Sequence, residues 1–125
     1  NESREETSAL VVAGGWLEGL HLAGKHYVPG NIELHERIAE QKYALDNLVN
    51  LMNTYDSASL DGIKIDLKEI QALYADVEII KGRTTKEKDA GGMVVIGGSK
   101  KVSMNDVTLQ KVLSKIKDIR NKYIN

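Results

Sequence analysis

Residues 9–28 form the longest apolar run of the chain, and they include its only Trp, Trp16. In this run Gly15, Gly19 and Ala23 recur every four residues, so they share one face if the run is helical. Side chains this small let a neighbouring helix approach closely, and we therefore expect a close helix–helix contact on that face. Other apolar side chains point to the remaining sides: Val11, Val12, Trp16, Leu17 and Leu20. A helix that is apolar nearly all round is buried on several sides, so the run predicts the central helix of a bundle.

The length of 125 residues is that of one domain, so we expect a single helical-bundle domain over residues 1–125. Apolar residues make up 42% of the chain and aromatic residues only 5%, which predicts an aliphatic core. The absence of Cys excludes disulfides, thiolate metal sites and Cys nucleophiles. Because the chain starts at Asn1 rather than at Met, we expect a trimmed form or a fragment of a longer protein.

The apolar run does not predict a membrane-spanning helix. It is interrupted by Glu18, His21, Lys25 and His26, and a charged side chain costs roughly 3 kcal/mol near the centre of a bilayer. We therefore expect no membrane insertion by this segment. The net charge of −1 gives no indication of nucleic acid binding either.

Two helices are predicted before residue 56. The first runs from about Glu5 to Tyr27, and Pro29 with Gly30 ends it. Asn31 is placed to cap the second helix. The apolar positions of the second helix have a heptad-like spacing with Gln41 at the skipped place: Leu34, Ile38, Leu45, Leu48, Met52 and Tyr55.

A third helix is predicted between the turn at residues 56–59 and about Lys81. Its apolar residues step by four, three, four and three: Ile63, Leu67, Ile70, Tyr74 and Val77. Two short β-branched runs then flank Gly97 and Gly98, namely residues 93–96 and 101–103. They predict a small hairpin, which we favour over the alternative of a disordered glycine loop.

The last helix begins with a variant of the capping box, in which Ser103 is the N-cap and Asp106 lies at the third helical position. Its expected buried stripe is Leu109, Val112, Ile116, Ile119 and Tyr123. Short links make successive helices antiparallel. The predicted fold is therefore all-α, an antiparallel four-helix bundle with a small β-hairpin or Gly-rich loop inserted before the last helix.

The only constellation with a chemical template is Glu18 with His21, three residues apart on one helix. Di-iron bundles use this spacing twice, together with Glu residues from other helices. Here it occurs once in such a setting, and His35 is the only further candidate ligand that we place near it. We therefore expect no metal and no cofactor, with Glu18, His21 and His35 as the candidates to examine. His26 and His35 flank the turn at Pro29 and are most simply solvated.

The C-terminal region is basic, with seven cations against Asp106 and Asp118: Lys100, Lys101, Lys111, Lys115, Lys117, Arg120 and Lys122. A solvated helix face explains them better than an acidic partner does. The chain has no Gly-x-Ser-x-Gly motif and no phosphate-binding loop of the required spacing. We therefore expect a protein that is not an enzyme.

Residues 8–24, with weaker support from the Lys-rich last helix, resemble the uncharacterised helical envelope lipoproteins of Bacteroidetes. The resemblance implies export to the cell envelope or periplasm, a lipid anchor on an upstream Cys, and further helices before Asn1. Those lipoproteins bring no activity and no functional residues with them.

The leading hypothesis is a non-enzymatic helical envelope protein with a structural or interaction role. Its partner would be an unknown protein or a second copy of the chain, with no nucleic acid. The alternative is a helical bundle that binds a small ligand or a metal through Glu18, His21 and the space left by Gly15, Gly19 and Gly24.

Overall fold

The computed structural model describes residues 2–81 and 100–124. Four helices account for most of them: α1 (Glu2–His26), α2 (Ile32–Met52), α3 (Asp61–Leu73) and α4 (Asp106–Ile124). A single 3-10 turn at Ala58–Leu60 leads into α3. The strands β1 (Glu78–Lys81) and β2 (Lys100–Ser103) lie between α3 and α4.

The architecture confirms the predicted all-α, antiparallel four-helix bundle. Helix α1 packs against α2 and α4, and α3 packs against the same two helices. Each helix therefore has two main neighbours, and the core lies between all four. The core is aliphatic apart from Tyr74, which has no exposed surface and donates a hydrogen bond to the Ile38 carbonyl at 2.7 Å.

The apolar patterns of α2, α3 and α4 identified most of the core. Buried residues in these regions include Ile38, Leu45, Leu48, Met52, Ile63, Leu67, Ile70, Tyr74, Val77, Leu109, Val112, Ile116 and Ile119. The Asn31 cap is confirmed, because its side chain accepts a hydrogen bond from the Leu34 amide at 3.1 Å. Gln41, at the skipped place of the heptad, accepts a hydrogen bond from the Trp16 indole at 2.9 Å.

The prediction that the third helix reaches Lys81 was wrong. Helix α3 ends at Leu73, and β1 pairs antiparallel with β2, so that Glu78 lies opposite Ser103. Val77 is buried although it is outside the helix, and its carbonyl accepts a hydrogen bond from the Lys42 ammonium at 2.6 Å. Because its burial does not depend on helical geometry, apolar spacing alone could not locate the end of the helix.

Within the described residues, the second run of the predicted hairpin pairs with a strand that was not predicted. The structure pairs Lys100–Ser103 with Glu78–Lys81, which the sequence analysis had assigned to the third helix. The other run predicted to form the hairpin, residues 93–96, lies outside the described residues.

The predicted cap of the last helix was wrong by two residues. Ser103 is the last residue of β2, and the helix begins at Asp106. The Asn105 side chain accepts a hydrogen bond from the Thr108 amide at 2.8 Å, so Asn105 is the N-cap. Strand pairing holds Ser103 in extended backbone, which moved the start of the helix.

The prediction that α1 is buried on several sides was also wrong. Its buried residues all lie on one side: Ala9, Ala13, Leu17 and Leu20. On the other sides Val11 is 68% exposed, Val12 54% and Leu22 47%. A Cβ atom added at Gly15 or Gly19 would meet nothing within 4 Å, so these glycines do not form the expected helix contact. The close contact is at Gly24, where an added Cβ would lie 2.8 Å from Leu113 Cδ2 on α4.

No helix in the described part of the chain is long and apolar enough to cross a membrane.

Candidate functional site

Glu18, the first candidate ligand, is held by α4. Its carboxylate accepts a hydrogen bond from the Arg120 side chain at 2.5 Å. This contact lowers the pKa of Glu18, and burial opposes it only in part. The pair ties the middle of α1 to the end of α4, so the carboxylate already has a cationic partner.

His21, one turn further along α1, lies in the groove between α1 and α4. We call this the α1–α4 groove, and its volume is about 320 Å³. It is lined by His21, Gly24, Lys25, Gln110, Leu113, Ser114 and Lys117. Burial is the largest cause that lowers the pKa of His21, and the charges of Arg120, Lys25 and Lys117 lower it further. The surroundings of the imidazole are therefore net positive, which is the opposite of what a cation site requires.

His35, the third candidate, belongs to a different cluster where the turn after α1 meets the start of α4. Its Nε2 donates to the Met104 carbonyl at 2.6 Å, and its Nδ1 lies 3.6 Å from Asp106 Oδ1. The Tyr27 hydroxyl donates to the same Asp106 oxygen at 3.0 Å. Burial raises the pKa of Tyr27, and the bond to Asp106 adds to it. These contacts connect the turn after α1, the first turns of α2 and the start of α4.

A shallow cavity of about 340 Å³ lies beside the His35 cluster. It is lined by Tyr27, Gly30, Asn31, Ile32, His35, Glu36 and Asp106. Gly30 has a φ of 97°, a conformation that glycine adopts without strain and that turns the chain here. His35 Nε2 is engaged by the Met104 carbonyl, so the other ring nitrogen is the one that lies towards Asp106 and the cavity.

The structure does not bring the three candidate ligands together. Glu18 is bonded to Arg120, His21 lies among cations, and His35 contacts Met104 and Asp106. Across residues 2–81 and 100–124, no three His, Cys, Asp or Glu side chains are arranged to hold a metal ion.

Asp66 is a polar contact that the sequence analysis missed. It is 3% exposed and accepts hydrogen bonds from Tyr123 at 2.7 Å and from Lys122 at 2.8 Å. Burial and the bond to Asp66 raise the pKa of Tyr123 to about 12. Asp66 lies three residues after Ile63 and four before Ile70, so its position on the apolar face was the available signal.

Carboxylates of the bundle neutralise part of the basic last helix. Lys115 is paired with Glu69 at 2.6 Å, Arg120 with Glu18, and Lys122 with Asp66. Lys111 and Lys117 form no ion pair within the described residues. The positive charge of α4 that remains unpaired is therefore smaller than its composition indicated. Of the two unpaired lysines, Lys117 lines the α1–α4 groove.

An apolar cavity of about 230 Å³ adjoins the Glu18–Arg120 pair. Its lining includes Leu10, Gly14, Leu17, Ile63 and Tyr123. It offers no hydrogen-bonding group beyond the ion pair and the Tyr123 hydroxyl, and both of these already have partners.

Comparison with protein-family models, curated proteins and solved structures gave no match to this chain.

Proposed function

We propose that this protein is a non-enzymatic helical protein that acts through protein contacts, and that the outer face of α1 is its contact surface. The outer face is defined here by Ser8, Val12, Gly15, Gly19, Leu22 and His26, all of which are exposed. Val12 and Leu22 are 54% and 47% exposed, and the space above Gly15 and Gly19 is open. This exposed apolar face is the observation that carries the proposal.

The outer face has the spacing of a helix–helix seam. Its residues step by four, three, four, three and four along α1. This is the heptad spacing with which two helices pack side by side. The small residues at the centre of the seam allow two helix backbones to approach closely, and the larger Val12 and Leu22 fit beside them. Exposed apolar side chains beside such a seam are consistent with a contact surface.

The favoured partner is a second copy of this chain. The outer face is symmetric about residue 17, so an antiparallel pair places Val12 opposite Leu22 and Gly15 opposite Gly19. A two-fold interface requires this kind of self-complementarity, because each contact between two residues occurs twice across it. The ends of the seam, Ser8 and His26, would also face each other.

The proposal is tested by sedimentation velocity over a wide range of protein concentration. The unmodified chain should dimerise, and Gly15→Gln and Gly19→Gln should each abolish the dimer, because the added side chains separate the helices. Gly14→Gln is the matched control. Gly14 is also exposed with nothing within 4 Å of an added Cβ, but it lies off the seam.

The free energy of unfolding of the monomer should not fall in any of the three variants, because each site is open in the isolated chain. A chain that is monomeric throughout contradicts the proposed self-association. A dimer that survives both seam substitutions places the interface elsewhere and contradicts it too.

We also propose that the protein is located in the cell envelope or periplasm, anchored by a lipid on a segment upstream of Asn1. The support is the resemblance of residues 8–24 to envelope lipoproteins of Bacteroidetes. Fractionation of cells that express the complete gene product should recover it with the envelope, and metabolic labelling with a palmitate analogue should mark it. Recovery of unlabelled protein in the cytosol contradicts the localisation.

The alternative function is the binding of a small ligand. It is supported by the α1–α4 groove, where polar side chains from two helices line a space of about 320 Å³.

A further inference from the structure

We infer that the α1–α4 groove binds a small anion carrying a phosphate group. The inference deepens the alternative function and is independent of self-association. His21, Gly24 and Lys25 line the groove from α1, whereas the residues of the outer face do not. Failure of one proposal therefore leaves the other standing.

Gly24 sets the shape of the groove. Leu113 of α4 approaches α1 at this glycine, where an added Cβ would lie 2.8 Å from Leu113 Cδ2. Leu113 thereby forms an apolar floor between the helices. Two side chains from α1 and three from α4 stand around this floor: His21, Lys25, Gln110, Ser114 and Lys117.

All five of these side chains can donate hydrogen bonds, and none is acidic. Lys25 and Lys117 are exposed and form no ion pair within the described residues. The nearest carboxylate on α1, Glu18, is occupied by Arg120. The groove thus combines two uncompensated positive charges with a hydroxyl and an amide, and the complementary ligand is an anion.

A phosphate group suits this arrangement better than a planar carboxylate. Lysine ammonium groups act as point charges that bind phosphate oxygens from several directions, whereas bidentate recognition of carboxylates requires Arg. The tetrahedral oxygens of a phosphate can reach donors from both helices at once. The apolar floor at Leu113 then accommodates the carbon atoms of a phosphate monoester.

His21 provides an internal reporter of the bound anion. It faces Glu18 and Lys25 on its own helix and Lys117 and Arg120 on α4, and its pKa is lowered by burial and by the three cations. A bound phosphate adds negative charge beside the ring and should raise the pKa of His21. By linkage, protonation of His21 should strengthen phosphate binding, whereas the phosphate's own protonation in the same pH range should weaken it.

The test is a titration of the isotopically labelled chain with inorganic phosphate, and separately with glycerol 3-phosphate, followed by NMR at constant ionic strength. Saturable shifts are expected at His21, Gln110 and Ser114. Lys117→Ala and Lys25→Ala should each weaken binding about fivefold, because each removes one solvent-exposed charged contact. Tighter binding of the ester than of inorganic phosphate is expected if the floor is used.

Lys111→Ala is the matched control. It removes the same charge from the same helix, but Lys111 is exposed and does not line the groove. His21→Ala should remove the part of the pH dependence that comes from His21 and leave only that of the phosphate's own titration. The fold should stay intact, which is checked by the dispersion of the spectrum.

A third arm distinguishes free phosphate from a lipid headgroup. Vesicles of phosphatidylglycerol in phosphatidylcholine are compared with vesicles of phosphatidylcholine alone. Binding of phosphate esters without vesicle binding identifies a soluble ligand. Vesicle binding that Lys117→Ala weakens and Lys111→Ala does not identifies a lipid phosphate at the same groove.

Two results overturn the inference. The first is that none of the three probes produces saturable shifts in the groove. The second is a Lys111→Ala variant that loses as much affinity as Lys117→Ala, which would show attraction to the overall charge of α4 rather than a site.

Discussion

At the scale of single residues, Gly19 and Gly24 lie on the same helix in opposite surroundings. The space above Gly19 is open, whereas Gly24 is closed by Leu113. An exposed helical Gly costs roughly 0.5–1 kcal/mol relative to Ala, because its backbone loses more conformational entropy on folding. At Gly24 that cost is balanced by the close approach of α4.

Gly19→Ala should therefore raise the free energy of unfolding of the monomer by about 0.5–1 kcal/mol. Gly24→Ala should give little or no gain, since Leu113 must shift, and displacing a side chain from its preferred rotamer costs about 1 kcal/mol. Urea unfolding at a protein concentration where the chain is monomeric measures both. Equal gains at the two positions would show that α4 does not close on Gly24.

The two glycines also show that the spacing of small residues does not reveal what lies opposite them. A four-residue recurrence of small residues is the same pattern whether a helix, a cavity or solvent lies opposite. The sequence analysis expected a close helix–helix contact on the face of Gly19, and at such a contact Gly19→Leu would overpack the bundle. With nothing within 4 Å of an added Cβ, the isolated chain should tolerate it.

At the scale of the element, the start of α4 is decided by two competing local patterns. Ser103 with Asp106 has the spacing of a capping box, and Asn105 is also a preferred N-cap residue. Because Ser103 pairs with Glu78, it belongs to strand β2 and does not act as the N-cap of α4. The second pattern is left to cap the helix, through the hydrogen bond from Thr108.

Asn105→Ala should lower the free energy of unfolding by about 1 kcal/mol through loss of the cap. Ser103→Ala should change it by less, because the exposed Ser103 side chain caps nothing. Thermal or chemical unfolding of the two variants provides the comparison. A larger loss for Ser103→Ala than for Asn105→Ala would return the N-cap to Ser103.

At the scale of the whole molecule, three hydrogen-bonded phenols link the stability of the bundle to alkaline pH. The pKa values of Tyr27, Tyr74 and Tyr123 are all raised, and burial is the largest cause for each. A raised pKa means that the neutral form is favoured in the folded state. Its contribution is present in full below the ordinary value near 10 and is lost as the pH rises further.

The free energy of unfolding should thus decrease between about pH 10 and pH 12, the range set by Tyr123. Tyr123→Phe should make this decrease smaller, because one of the three phenols no longer titrates. Urea unfolding across this range measures the slope for both chains. An identical slope in the variant would show that the Tyr123 hydroxyl is not bonded to Asp66 in solution.

The sequence by itself determined the class of fold and most of the core. The apolar stripes of α2, α3 and α4 have helical periods, and helices with one apolar stripe have to bury it against one another. The cap at Asn31 could also be predicted from the sequence, because capping depends only on a few adjacent residues.

Only the tertiary structure decided the partners of polar and small residues. Nothing local shows that Arg120 bonds to Glu18, that Tyr123 and Lys122 meet Asp66, or that α4 closes on Gly24 rather than on Gly19. These contacts join residues far apart in the chain, and a side chain's period within its own helix carries no information about the helix opposite. The face of α1 that stays exposed, and the groove that α1 forms with α4, follow from how the four helices pack together.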